Sequence, residues 1–320
     1  MQAQPLNFAI TGAAGFVAPR HLKAIKDTGN RLVAAADPHD AVGVLDRYSL
    51  EVRFFTEIER FDRHLEKLRR GPALERVHYV SICSPNYLHD AHIRLALRVR
   101  AHAICEKPVV INPWNLVALQ ELEEETGCRV NTVLQLRLHP ALIAVKERLR
   151  SESTSTQHDV CLTYVTGRGP WYGVSWKGST ERSGGLPTNI GIHLFDLLLW
   201  LFGEAGVCEM HLRDSKREAG FLEFERARVR WFLSTDFRDL PFPAEPGGQT
   251  TFRSITIDGE ALEFTDGFAD LHTRVYQEVL AGRGFGLDVA RSSVALVHRI
   301  RQTTVSSSTG APAHAKLVEA

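Results

Sequence analysis

Five short apolar or β-branched runs, Phe8–Thr11, Leu32–Ala36, Val77–Cys83, His102–Cys105 and Arg129–Leu134, alternate with helix-length segments at Ala18–Asp27, Glu57–Arg70, Asp90–Val99 and Pro113–Thr126. Runs that are apolar on both faces, each followed by an amphipathic stretch, suit a parallel sheet covered by helices on both sides. The expected first domain is therefore α/β, a doubly wound parallel sheet of the Rossmann type. Helix punctuation agrees: Asn112-Pro113 opens one helix and Gly127 closes it.

After a helix over Pro140–Arg150 the pattern changes, and the polar stretch Ser151–Gln157 is the best linker candidate. Beyond it Val160–Thr166, Val207–Leu212, Phe221–Phe224, Ala227–Ser234, Thr251–Ile257 and Ala261–Thr265 read as strands with little helix between them. Val229, Trp231 and Leu233 share one face while Arg228 and Arg230 take the other. Asp258-Gly259 is a two-residue hairpin signal. The second domain is expected to be α+β, a mostly antiparallel open sheet with one packed and one wet face, closed by helices at Asp270–Leu280 and Asp288–Gln302. A length of 320 residues accommodates two such domains.

Charge narrows the partners. Lys+Arg and Asp+Glu both number 38, which argues against nucleic acid or a polybasic membrane surface. Five scattered cysteines lack a C-x-x-C pair and read as reduced packing residues of a cytoplasmic protein. No signal-peptide pattern precedes the first strand, and the most apolar stretch, Ile190 to Phe202, is interrupted by His193 and Asp196 and falls short of a bilayer span.

Gly12-Ala13-Ala14-Gly15-Phe16-Val17-Ala18 follows the first strand and opens a helix, the context a dinucleotide fingerprint requires. Gly12 allows the tight turn, Gly15 lets backbone N–H groups approach a pyrophosphate, and Ala18 allows close helix packing; Ala14 replaces the usual middle glycine. Asp37 ends the second strand, where an acid accepts ribose hydroxyls and repels a 2′-phosphate, favouring NAD. Three further strand ends carry chemistry: Ser84-Pro85-Asn86 with His89, Glu106-Lys107-Pro108, and Gln135 with Arg137. Carboxyl ends of strands in a doubly wound sheet converge on one crevice, so these groups are expected to meet there. Lys107 is suited to bind a substrate hydroxyl and exchange its proton.

The helix starting near Asn189 is apolar nearly all round, except for a stripe of Asn189, His193, Asp196 and Trp200. A polar stripe on a buried helix forms a satisfied core network or lines a cavity. Between them, Gly167-Arg168-Gly169-Pro170-Trp171-Tyr172 through Trp176-Lys177-Gly178 is dense in rings and cations that suit an anionic, nucleotide-like substrate. No His, Cys or acid pair has a convincing metal spacing, so no metal is expected.

The glycine turn GAAGFVA, the Glu106-Lys107-Pro108 strand end and the helix carrying His193 and Asp196 resemble the glucose-fructose oxidoreductase/inositol dehydrogenase (Gfo/Idh/MocA) family. SICSPNYLHDAH, AICEKPVVINPWN and SGGLPTNIGIHLFDLLLW extend the resemblance toward the family's sugar-nucleotide uronate 3-dehydrogenases. It implies an NAD-binding domain over 1–138 and a substrate-binding and oligomerisation domain over 139–320. It further implies NAD-dependent oxidation of UDP-N-acetyl-D-glucosaminuronic acid at C3, within lipopolysaccharide O-antigen biosynthesis in the cytoplasm, and a homotetramer. His193 and Lys107 are then expected to share the proton chemistry, with Asn189, an acid in many relatives, fixing the sugar. Gln135 and Glu106 would border the nicotinamide, and Arg137, Arg168 and Lys177 would meet the substrate's anionic groups. 2-Oxoglutarate is a possible partner in reoxidising the cofactor. A free-sugar or inositol dehydrogenase and a non-catalytic dinucleotide sensor are the alternatives.

Overall fold

A computed structural model gives the fold and describes residues 4–245, 247–262, 270–306 and 310–318. The chain divides into two compact units, Met1–Gln135 with Ala269–Arg291, and Leu136–Phe268 with Ser292–Ala320. In the first unit, β1 (Asn7–Thr11), β2 (Arg31–Ala36), β3 (Arg53–Phe55), β4 (Tyr79–Ile82), β5 (His102–Cys105) and β6 (Val130–Thr132) are joined through α1 (Ala18–Asp27), α2 (Ile58–Arg70), α3 (His89–Arg98) and α4 (Trp114–Thr126). All six strands are parallel, in the order β3-β2-β1-β4-β5-β6. The order reverses between β1 and β4, so the crevice outside their carboxyl ends is the topological switch point where such sheets bind ligands. Phe8, Ile10, Val80, Ile82 and Ile104 are fully buried, as strands covered on both faces must be. The edge strand β3 is an addition to the sequence reading: three residues are too few to display a period.

The second unit begins with α5 (Pro140–Ser151) and contains β7 (His158–Thr166), α6 (Trp171–Val174), α7 (Thr180–Ser183), α8 (Ile192–Phe202), β8 (Ala205–Arg213), β9 (Arg217–Phe224), β10 (Ala227–Ser234), β11 (Thr251–Ile257) and β12 (Glu260–Ala261). The sheet runs β12-β11-β7-β10-β9-β8 and is antiparallel except where β7 and β10 pair in parallel. Asp258 and Gly259 both take positive φ, 52° and 83°, which matches a primed hairpin turn. Of the strand expected over Ala261–Thr265, residues 263–265 lie outside the described residues.

Val229, Trp231 and Leu233 are fully buried, and Phe195 of α8 meets Trp231 edge-on at 5.4 Å, so α8 covers the packed face. The other face is not wholly wet. Phe232, Val165 and Ala219 cluster there with Leu240, and His314 stacks on Phe232 at 5.6 Å and bonds Thr163 Oγ1 at 3.1 Å. The helical run Thr180–Phe202 is long and apolar enough to cross a membrane, contrary to the shorter stretch read from the sequence, but 83% of its most apolar window is buried in this unit.

After the second sheet the chain returns to the first unit with α9 (Leu271–Leu280), before α10 (Leu287–Gln302) and the short α11 (Ala315–Val318). A single crossing near residue 138 did not include this return. The returning segment packs on α1, and Phe285 O accepts the Thr132 N–H at 2.8 Å along the β6 edge.

Candidate active site

The first unit stitches its strand ends together around the glycine turn. Gly12 sits at φ 76°, and a Cβ there would lie 2.5 Å from the Cys83 carbonyl and the Ser84 nitrogen. The turn thus presses backbone to backbone on the end of β4 and runs into α1, whose first-turn residues Ala18 and Arg20 give their N–H groups to Gly15 O and Val17 O and whose Pro19 has none. Phe16 stands beside it, 89% exposed. Asp37 is clamped in place: its Oδ2 accepts the Ala14 N–H and its Oδ1 the His39 N–H, both at 2.9 Å. A carboxylate has lone pairs beyond these two and can accept ribose hydroxyls. The close glycine turn and the acid at the end of β2 fit a dinucleotide of the NAD type.

His92, which the sequence reading did not single out, places its Nδ1 2.9 Å from Ser84 Oγ and 3.1 Å from Thr11 Oγ1, bridging the ends of β1 and β4. Burial pushes its pKa down to about 4, so it is neutral at physiological pH. His89, expected to touch the cofactor, has both ring nitrogens against backbone carbonyls, Pro108 O at 2.6 Å and Ser84 O at 2.8 Å. Its role in this structure is to tie the Ser84-Pro85-Asn86 loop to the Glu106-Lys107-Pro108 loop. Asn86 and Gln135 are buried at the same sheet end, and Lys107 is half-buried just past β5.

Glu106 departs most from expectation. Its Oε1 accepts the Nε2–H groups of His21 at 2.9 Å and His272 at 3.1 Å, so this oxygen is engaged by two buried imidazoles of the first unit, partners the sequence reading did not give it. His21 Nδ1 reaches Tyr276 Oη at 2.8 Å, and Tyr276 Oη reaches Ser81 Oγ at 2.6 Å. The donor atoms of His21, Glu106 and His272 lie within 4.8 Å of one another, a spacing a metal ion could use. In this arrangement the Nε2 atoms of His21 and His272 are donors to Oε1, so they carry protons rather than lone pairs toward an ion. A signal existed in the sequence: His21 lies at helical spacing among Ala18, Leu22 and Ile25 on the buried stripe of α1.

The second unit carries the other group of candidates. Gly184, at φ 84°, would drive a Cβ to within 2.5 Å of the Thr188 side chain, and this close turn leads into a π-helical segment, Pro187–Gly191, that runs into α8. π-Turns are frequent at functional sites. Asn189 lies in it, buried, and its Nδ2 donates to Tyr172 Oη at 2.7 Å. Burial pushes the Tyr172 phenol up, opposed by that hydrogen bond. His193 is half-buried in the first turn of α8, one helical turn from Asn189.

The polar stripe read from the sequence is therefore divided among separate partners. Asp196 is gripped by Arg137 through Nε–Oδ2 at 2.9 Å and Nη2–Oδ1 at 2.8 Å, which engages the arginine expected to meet substrate anions. Trp200 lies under the Lys146 ammonium at 5.8 Å. Lys177 is held between two indoles, 5.5 Å from Trp171 and 4.6 Å from Trp176, while Arg168 donates its backbone N–H to Thr235 O at 2.9 Å. Arg168, Lys177 and the half-exposed Trp171 thus occupy one loop with Tyr172. All five cysteines are free thiols.

Asp37 allows a direct test of the cofactor half. Asp37→Ser removes a charged acceptor, an interaction of about 1.5–3 kcal/mol, so NAD affinity should fall roughly 10- to 150-fold while NADP affinity falls less or rises. Fluorescence titration with NADH and NADPH measures the ratio. An unchanged ratio would remove Asp37 from cofactor selection.

Residues 6–133 match the profile of an oxidoreductase family's NAD-binding Rossmann fold, and residues 157–237 match the same family's C-terminal alpha/beta domain. The WlbA (WbpB) dehydrogenase of Thermus thermophilus, solved with NAD and α-ketoglutarate, is 54% identical, with 95% of this chain and 97% of that chain covered at a TM-score of 0.90. Its structure with NAD and UDP-GlcNAcA gives 53% identity, coverage of 97% and 99%, and a TM-score of 0.91. Inositol 2-dehydrogenase of Rhizobium meliloti is 27% identical over 205 residues, which span 63% of this chain and 56% of that enzyme. The chain thus matches this curated relative over little more than half its length. The six-stranded parallel sheet, the glycine turn with its clamped acid and both matched domains lead to one conclusion: this chain is an NAD-binding oxidoreductase of the Gfo/Idh/MocA family.

Proposed function

We propose that the protein oxidises the C3 hydroxyl of UDP-N-acetyl-D-glucosaminuronic acid to the 3-keto sugar with NAD as hydride acceptor. The observation that carries this reading is the 53% identity over 97% of the chain to a WlbA (WbpB) dehydrogenase solved with NAD and UDP-GlcNAcA. NAD, when bound, takes the hydride from C3; the chain's residues must hold the sugar and remove the proton. His193, an imidazole on a rigid buried helix, takes the hydroxyl proton as C3 becomes a carbonyl. Lys107 hydrogen-bonds the same oxygen and stabilises the alkoxide character that develops as the hydride leaves. Asn189 fixes the sugar. Arg168, Lys177 and the half-exposed Trp171 receive the uronate and nucleotide parts, the cations pairing with anionic oxygens and the indole offering a stacking face.

The balance is one secondary alcohol and NAD giving one ketone, NADH and a proton. Reoxidation in place by 2-oxoglutarate, which gives 2-hydroxyglutarate and returns NAD, is part of the proposal, supported by the Thermus thermophilus complex with α-ketoglutarate. A cytoplasmic homotetramer serving surface-polysaccharide synthesis completes the reading.

The test is NADH absorbance with UDP-N-acetylglucosaminuronic acid, UDP-N-acetylglucosamine, free glucuronate and inositol, each with and without 2-oxoglutarate, and mass spectrometry of the products. Turnover should be confined to the UDP-uronate, with 2-hydroxyglutarate appearing when 2-oxoglutarate is present. Turnover of inositol or free glucuronate at comparable kcat/KM would overturn the substrate assignment, and NAD binding without turnover of any substrate would turn the reading to a sensor.

A further inference from the structure

We infer that Tyr172 is a positioning residue for this reaction, acting through Asn189; the inference rests on the reading above that Asn189 holds the sugar. An amide offers one acceptor oxygen and one donor nitrogen on opposite edges, whereas a carboxylate offers acceptors on both. An asparagine that must present a defined edge to a hydroxyl therefore needs a partner that fixes which way it faces, and an aspartate at the same place does not. Tyr172 is built to be that partner. Its Oη takes the Nδ2–H of Asn189 at 2.7 Å, and the two residues are only 8% and 9% exposed.

Both ends of the contact are held by their own backbones. Tyr172 N–H donates to Gly169 O at 3.1 Å, and the Ser175 hydroxyl donates to Tyr172 O at 2.9 Å, so the short helix that carries the ring is closed on itself. Asn189 belongs to the π-helical segment that follows the glycine pair and leads into His193. With Nδ2 committed to the phenol, the Oδ1 edge of the amide is turned to the opposite side. A packing role would need only the ring, which meets the Trp171 ring at 5.9 Å in a T-shaped arrangement; the hydroxyl would be dispensable.

The test is a double-mutant cycle on the holoenzyme with NAD and UDP-N-acetylglucosaminuronic acid, comparing Tyr172→Phe in the Asn189 and in the Asn189→Asp backgrounds. In the Asn189 background Tyr172→Phe should lower kcat about 10- to 100-fold, with NADH affinity unchanged, since one oriented hydrogen bond is lost. In the Asn189→Asp background the same change should cost less than about 3-fold, because a carboxylate needs no orienting partner. Equal losses in both backgrounds mean a general structural effect and overturn the inference, as does a loss below about 3-fold in the Asn189 background. His193→Asn, measured alongside, separates the two layers. If it abolishes turnover while Tyr172→Phe does not matter, only the positioning role fails; if it leaves turnover intact, the reading of the site itself fails.

Discussion

Lys107→Met and His193→Asn should each lower the rate of sugar oxidation by about 10²–10⁴-fold while leaving NAD affinity within a few-fold of wild type. The two halves of that expectation have separate origins. In the proposed assignment the cofactor's pyrophosphate and ribose meet the glycine turn and the Asp37 carboxylate, which is held by Ala14 and His39 rather than by Lys107 or His193. The chemical step needs a proton removed from a secondary hydroxyl as the hydride leaves, and methionine or asparagine at these positions cannot remove or stabilise it. Methionine keeps the length and apolar stem of lysine, so a loss of rate in Lys107→Met reports the ammonium group. On the proposal that both groups act on one oxygen, the double variant should lose much less than the product of the single losses. The measurement is single-turnover NADH formation with binding titrated separately. A rate within a few-fold of wild type in either single variant would sink its assignment, and a fully multiplicative double variant would mean that the two residues serve different steps.

The parts of this site that could be read from the chain are those built from neighbours in sequence. The glycine turn, Asp37 at a strand end and the Asp258-Gly259 hairpin each declare themselves within a few residues. The parts that could not be read depend on partners far along the chain. Nothing near Arg137 shows that it will fork Asp196, 59 residues on, and nothing near Glu106 shows that His21 and His272 will close on it from 85 and 166 residues away. The sequence placed these side chains in a crevice because strand ends converge there, and that rule locates the backbone. Which way a buried charged group turns is decided by where its desolvation is compensated, and that depends on tertiary partners. The return of 269–291 was missed for the same reason: an amphipathic helix announces that it will pack, and its periodicity does not name the sheet.

Glu106→Ala should destabilise the first unit by about 3–5 kcal/mol, the usual cost of removing one member of a buried pair, and lower its melting temperature by roughly 6–20 °C. Burial alone would push the Glu106 carboxyl up, but the hydrogen bonds of His21 and His272 outweigh it and hold the group well below the usual carboxylate range. Burial holds His21 down and neutral. Every member then has a partner: Ser81 donates to Tyr276, Tyr276 to His21 Nδ1, and His21 and His272 both donate to Glu106. Deleting the carboxylate leaves two buried imidazole N–H groups without their acceptor. Glu106→Gln keeps an oxygen in place and should cost about 1–2 kcal/mol. The pH window, and not the sign, separates this network from the other buried histidines. Glu106 has a depressed folded pKa, so its stabilisation is complete above its unfolded value near 4.5 and is lost only as pH falls below that. His92 stays neutral in the fold down to about 4 while the unfolded chain takes a proton below 6.5, so stability falls with pH through that window in wild type and variant alike. Melting curves of both should therefore drop from pH 7 to 5, and because Glu106 partly offsets the burial that depresses His21, the variant should drop at least as steeply as wild type, the gap holding or widening. A gap that closes on mild acidification would mean that the Glu106 carboxyl takes up a proton in that range, its folded pKa being raised rather than depressed. Since His272 and Tyr276 both come from α9, hydrogen exchange in Glu106→Ala should accelerate in α9 before it does in β1, because that helix loses its buried polar anchor while the strand keeps its apolar cover.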